Sequence, residues 1–306
     1  MEAASTRSVL AILIVTLIAA ADIPARAQAA DALDTARIEQ LTGAKGKLDE
    51  KEHVFKVSMP RSDLHVIAGG VKLTPPMGLT CWAAFTRMGD HAMVMGDQVL
   101  LEDQVNPVMS VALDNGLEVT ALHNHFFFDN PRVMFMHIGG MGDEARLAAA
   151  VGKVFAKIKE TAGGKGNAPT ADIDPANTSL DPAKIDAVLA GPRGQLDKGV
   201  YKVTIGRTTQ MAGQDVGNQM GVNTWAAFAG SDDKAVVDGD YAMTENELQN
   251  VLKALRAHDI NVVAIHNHMT GENPRIVFLH YWGIGPTQRL AEGLKAALDA
   301  QKAGAH

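Results

Sequence analysis

The sequence contains a single cysteine, Cys81, so it can form neither an intramolecular disulfide nor a cysteine-only zinc centre. Aromatic residues are sparse at 5%, and neither charge sign dominates: 28 Lys+Arg against 35 Asp+Glu leave a net charge of −7. That acidic balance repels a phosphate backbone and argues against a nucleic-acid partner. The apolar run Val9–Ala21 has 13 residues, short of the roughly 20 that a membrane-spanning helix needs. The sequence has no Gly-rich dinucleotide fingerprint, phosphate loop, nucleophile elbow, HExxH or EF-hand loop. What is present is 46% hydrophobic residues, enough for a core and too many for a chain disordered throughout.

The N-terminus has the layout of a secretory signal: Arg7, then the apolar run, then the small-x-small site Ala25-Arg26-Ala27, with Ala27-Gln28-Ala29 as a second candidate. Residues 1–27 are therefore expected to be a signal peptide, and the mature protein to be periplasmic or secreted. No cysteine follows the cleavage site, so no stable membrane anchor is expected. Cys81 lies in the apolar stretch 79–85 and is expected to be buried as a small hydrophobe.

The chain repeats itself. Residues 78–142 align without a gap on residues 221–285. Trp82-Ala83-Ala84-Phe85 matches Trp225-Ala226-Ala227-Phe228, Gly96-Asp97 matches Gly239-Asp240, and Glu102 matches Glu245. The strongest block runs through His123-Asn124-His125, Asn130-Pro131-Arg132 and His137, which return as His266-Asn267-His268, Asn273-Pro274-Arg275 and His280. Upstream, Ile38 to Arg61 resembles Ile185 to Arg207. The expected organisation is a first half over 32–161, a Gly/Pro/Asn-rich linker over 162–180 and a second half over 181–300.

Within one copy, Ala32 to Gly43 reads as a short helix. His53–Met59, Leu79–Thr86 and Ala92–Leu100 read as strands, and Glu102–Asn115 as a helix with Gly116 beyond its end. Leu117–Phe126 and Arg132–Ile138 read as a hairpin around a turn at Asp129-Asn130-Pro131. Asp143–Lys159 reads as a closing helix with Leu147, Val151, Val154, Phe155 and Ile158 on one face. The fold class is α+β, two tandem homologous halves with antiparallel hairpins, as two sheets packed about a pseudo-two-fold axis.

His123 and His125 are two apart in an expected strand, so they share a face, and His137 on the next strand can join them. Three imidazoles on one face can hold a divalent transition metal, zinc first, with copper or iron also suited. His266, His268 and His280 repeat the pattern. A three-histidine site leaves a fourth position open, as a hydrolytic metal requires. The same histidines could instead be structural, hydrogen-bonded within the core. Glu102 and Glu245 are candidates for a catalytic base or a fourth ligand, although each also suits the dipole of the helix it opens. Arg132 and Arg275 can present paired donors to an anionic small-molecule ligand or substrate, and are otherwise turn residues. Asp97 and Asp240, each after a glycine, read as turn residues. Met93, Met95, Met134 and Met136 follow strand periodicity, and their aliphatic counterparts in the second copy suggest core packing over copper ligation.

The secretory start, the paired TCWAAF and NTWAAF segments and the two HNH…NPR…F.H blocks resemble the bacterial LppY/LpqO family of exported proteins, over about residues 32–300. The resemblance implies export and assigns no catalytic role, since that family has no established activity. Some of its members look like lipoproteins, whereas this sequence lacks the lipobox cysteine.

Overall fold

The structure is a computed structural model that describes residues 32–163 and 170–303. The expected signal peptide, and residues 164–169 of the expected linker, lie outside that range. The first copy runs α1 (Thr35–Thr42), β1 (Gly46–Asp49), β2 (Val54–Pro60), β3 (Ile67–Ala68), β4 (Val71–Lys72), β5 (Thr80–Met88) and β6 (His91–Leu101). It continues through α2 (Glu102–Asp114), β7 (Glu118–His123), β8 (Asp129–Asn130), β9 (Val133–Gly142) and α3 (Glu144–Glu160). The second copy repeats this with α4 (Pro182–Leu189), β10 (Gln195–Asp197), β11 (Val200–Gly206), β12 (Thr209–Met211), β13 (Gln214–Val216), β14 (Asn223–Gly230) and β15 (Ala235–Thr244). It closes with α5 (Glu245–Ala257), β16 (Asn261–His266), β17 (Ile276–Gly285) and α6 (Thr287–Ala303). The α+β class and the tandem halves are as the sequence led us to expect. None of the described helices is long and apolar enough to cross a membrane.

Twelve strands form one sheet in the order β1-β2-β5-β6-β9-β7-β16-β17-β15-β14-β11-β10. Read from either end, equivalent strands appear in the same order, so a pseudo-two-fold axis passes between β7 and β16. The halves therefore join edge to edge in one sheet and do not stack as two. The reason is that each copy ends on an unfinished strand edge, and the matching edge of the other copy satisfies it.

Period-two alternation divides the sheet. Cys81, Ala83 and Phe85 of β5 are fully buried, while Trp82 and Ala84 between them are half-exposed. Burial pushes the Cys81 thiol up to about 11, so it stays an uncharged apolar group. The buried residues of α3 include Leu147, Val151, Val154, Phe155 and Ile158, the stripe read from sequence. Gly116 adopts φ +79° just past α2, as expected of a residue ending a helix in the left-handed region. The methionines split between the faces. Met136 is fully buried in the core, but Met95 is 58% and Met141 61% exposed. Core packing therefore does not account for those two.

At the seam, β7 and β16 pair at Leu122–Ile265. Beyond it two side-chain amides substitute for the missing ladder. Gln249 of α5 accepts from the Val119 amide at 3.0 Å and donates to its carbonyl at 2.9 Å. Asn106 of α2, its counterpart in the repeat, does the same to Val262 at 2.8 and 3.2 Å. Truncation of either leaves one peptide N–H and one C=O unpaired. Asn106→Ala and Gln249→Ala are each expected to lower stability by about 1–3 kcal/mol, read as a shifted urea midpoint. An unmoved midpoint would mean that the seam does not depend on these amides.

Candidate metal site

The half-exposed face carries the histidines because strand register puts them there. In the first copy Trp82 lies opposite Asp97, Asp97 opposite His137, and His137 opposite Ala121, with His123 two pairs further along, on the same face, opposite Phe135. The second copy repeats the row with Trp225, Asp240, His280 and Ala264, and with His266 opposite Phe278. Asp97 and Asp240 are thus not turn residues. Each sits mid-strand, buried, in line with the histidines. The glycine before each reflects crowding, not a turn: a Cβ on Gly96 would lie 2.6 Å from the Trp82 carbonyl oxygen, and one on Gly239 would lie 2.1 Å from the Tyr281 ring. The turn at Asn130-Pro131 is also more ordered than expected, because β8 pairs with β3. Asn124 donates to the Phe126 carbonyl at 2.9 Å, pinning the loop after β7.

In the second copy, Asp240, His266 and His268 bring one ligand atom each to within 4.8 Å of one another. The His268 Nε2 is 3.1 Å from Asp240 Oδ2, and its Nδ1 is 3.3 Å from the Gly221 carbonyl oxygen. A carbonyl only accepts, so Nδ1 carries the proton, and in a neutral ring Nε2 presents a lone pair. Lone pair and carboxylate then face each other, an arrangement that needs a proton or a cation between them. Asp240 is 2% exposed, and its other oxygen has no hydrogen-bond partner. His266 Nδ1 is likewise buried and unpaired. Burial, with His280 and His268 beside it, pushes His266 down to about 4. Burial also raises the Asp240 carboxyl above its usual range. His280 stacks on His266, ring centroids 4.7 Å apart, and donates from Nδ1 to the Gly239 carbonyl at 3.2 Å.

The remaining candidates meet one another. Glu245, at the first position of α5, pairs with Arg275 at 3.1 Å, and Glu102 of α2 pairs with Arg132 at 3.7 Å. Glu245, Arg275 and His266 line one cleft of about 710 Å³, together with Glu118, Asn246 and Asn267. The cleft opens where β7 and β16 part beyond their shared pair.

The repeat also decides the relationship of the chain to known sequences. A family model described as a Domain of Unknown Function (DUF1259) matches residues 36–157 and again residues 183–300. The chain belongs to the DUF1259 family. No curated protein matches it. Among solved structures, a trimeric bacterial microcompartment shell protein, PduB, is 10% identical over 83% of this chain and 89% of its own, with a TM-score of 0.20. An aspartate kinase from Synechocystis is 11% identical over 70% of this chain and 40% of its own, with a TM-score of 0.14. Likenesses so slight carry no argument about this DUF1259 protein.

The two DUF1259 copies treat their histidines differently. The stacking is shared, His125 on Phe135 at 3.4 Å and His268 on Phe278 at 3.5 Å between centroids, but the nitrogen contacts differ: in the first copy His125 Nε2 meets His123 Nε2 at 3.2 Å. His137 stacks on His123 at 5.2 Å, and one Asp97 oxygen is buried without a partner. Burial lowers both His123 and His125, so they are neutral rings at neutral pH. The cluster of carboxylate and two histidines thus forms in the second copy, while the first presents a facing pair of nitrogens. Sequence reasoning found the histidines and missed Asp240. The repeated Gly-Asp was the available signal, but it reads equally well as a turn.

Proposed function

We propose that this DUF1259 protein binds a divalent transition metal through Asp240, His266 and His268. The observation that carries the reading is His268, whose hydrogen bond to Gly221 aims Nε2 at the buried Asp240 carboxylate. A cation between them removes the conflict and uses the idle His266. A tetrahedral zinc with bonds of about 2.0–2.1 Å separates its ligand atoms by about 3.3 Å; the His268–Asp240 pair stands at 3.1 Å, and all three ligand atoms lie within 4.8 Å of one another. Two histidines and one carboxylate suit zinc or iron better than a soft ion. The backbone bonds of His268 and His280 fix their ring orientation, as carbonyl partners do for metal-binding histidines.

A metal held by these residues would supply a Lewis acid beside the cleft that His266 lines, and hydrolysis is the reaction class we favour. Glu245 and Arg275 would orient a polar small-molecule substrate beside His266. A binding site for a small anion is the weaker reading, because Arg132 and Arg275 each already hold a glutamate. We further propose that residues 1–27 direct export to the periplasm, in line with the resemblance to the LppY/LpqO proteins.

Elemental mass spectrometry of the purified mature protein tests the metal. About one equivalent of a single transition metal is expected, lost in Asp240→Ala and His268→Ala and kept in Glu245→Ala. Wild-type protein that stays metal-free after reconstitution and dialysis would end this reading.

A further inference from the structure

The exposed methionines of the first copy are used by none of the above. On β5, β6 and β9, register places Met88 opposite His91, Met93 opposite both Thr86 and Met141, and Met95 opposite Ala84 and Gly139. Cross-strand partners share a face, so Met88, His91, Met93, Met95 and Met141 all project from the half-exposed face, around the tight turn between β5 and β6. Directly opposed residues there stand about 5 Å apart at Cβ and diagonal ones about 7–8 Å, within reach of flexible thioether side chains. Met95 has only Ala84 and Gly139 as cross-strand neighbours, which leaves its sulfur free to either side. Met88 is 48% exposed, alongside the still more open Met95 and Met141.

Exposed apolar side chains grouped on one face often mark a binding site. The second copy shows that the fold does not require them. It has Ser231, Lys234, Val236, Asp238 and Ile284 at the five equivalent positions, and β14, β15 and β17 pair in the same register. The methionines are therefore a feature of the first copy alone, at a place where packing is indifferent to them. Thioethers are soft ligands that prefer Cu(I) to the harder divalent ions.

We propose that the first copy carries a site for a soft monovalent cation, Cu(I) or the chemically similar Ag(I), formed by Met93, Met95 and Met141 with Met88 and His91 in support. It is separate from the Asp240 site and does not depend on it. Binding needs no redox step, since the ion enters and leaves as the monovalent cation.

The full mature chain, labelled with ¹³C at the methionine methyls, can be titrated with Ag(I) and followed by NMR. The methyl signals of Met93, Met95 and Met141 are expected to move together and saturate near one equivalent, while that of the buried Met136 stays in place. An anaerobic competition against a coloured Cu(I) chelator provides the second reading. The triple variant Met93→Leu, Met95→Leu, Met141→Leu keeps side-chain volume and should lose this equivalent, whereas Asp240→Ala should keep it. Methionine signals that do not respond to Ag(I) would overturn the proposal. So would Cu(I) binding that survives in the triple variant or disappears in Asp240→Ala.

Discussion

Arg61→Ala should unfold this protein at markedly lower temperature, with a loss of about 3–5 kcal/mol, the combined cost of buried acceptors losing a donor and of the void left behind. Arg61 is 2% exposed and among the largest fully buried side chains. Its guanidinium donates to the Val99 carbonyl, to Gln104 Oε1 at 3.2 Å, and through two parallel bonds of 2.9 Å to the Asp63 carboxylate. Alanine leaves the Val99 carbonyl and the Gln104 amide short of a donor and opens a void beneath the start of α2. At roughly 2–4 °C per kcal/mol for a chain of this size, Tm should fall by roughly 10 °C. Arg61→Lys should fall between, because one ammonium cannot reproduce the planar fork.

The effect also has a pH signature. Arg61 holds the Asp63 carboxyl below its usual range, chiefly through their hydrogen bonds. A carboxyl lowered in the folded state contributes stability above its unfolded pKa, and loses it as pH falls through the lowered folded value. The gap between wild type and Arg61→Ala should therefore be full at neutral pH and narrow below about pH 4. Denaturant midpoints measured at pH 7 and pH 3 test both statements. An equal gap at the two values would remove Asp63 from the explanation, and no gap at either would remove the network. The second copy keeps the position and two of its partner positions: Arg207 donates to the Ala242 carbonyl at 3.2 Å and pairs with the buried Glu247, which stand where Val99 and Gln104 stand in the first copy, and Glu247 also accepts from the Thr244 amide at the start of α5.

Gly239→Ala is the second large effect expected, at about 2–4 kcal/mol. The Tyr281 side chain crosses directly over Gly239 to donate its hydroxyl to the Trp225 carbonyl at 2.8 Å. An added methyl would lie 2.1 Å from the ring and 2.4 Å from that carbonyl. The ring must move, which breaks the hydroxyl bond and strains a packed interior. Because His280 donates to the Gly239 carbonyl and Asp240 is next in sequence, metal content should fall along with thermal stability. Tyr281→Phe separates the causes: it keeps the ring and loses only the hydroxyl bond, so a loss of about 1–2 kcal/mol is expected with metal retained. Gly239→Ala protein as stable as wild type would show that the ring is not held there. The first copy meets the same need differently. Gln98 Nε2 donates to the Trp82 carbonyl at 3.1 Å across Gly96, so the glycine recurs while its covering side chain does not.

Much of this was legible from the sequence, because the relevant physics is local or repeated. The apolar stripe of α3, the hairpin of β7 and β9, Gly116 past α2 and the burial of Cys81 follow from periodicity, backbone freedom and hydrophobicity, which need no knowledge of distant residues. The internal repeat fixed the tandem halves, and two-residue spacing set His123 with His125 and His266 with His268. Tertiary structure alone decided the rest. It joined the halves edge to edge, since which strand ends unpaired is a property of the whole ladder. It moved Asp240 from an apparent turn to a buried mid-strand position, because the glycine before it makes room for a tyrosine 42 positions further along the chain. It turned His268 toward that aspartate and His125 toward His123, a difference between copies that nearly identical motifs do not encode. It also left Met95 exposed where periodicity suggested burial, because alternation names two faces of a strand and only the packing of helices decides which of them is covered.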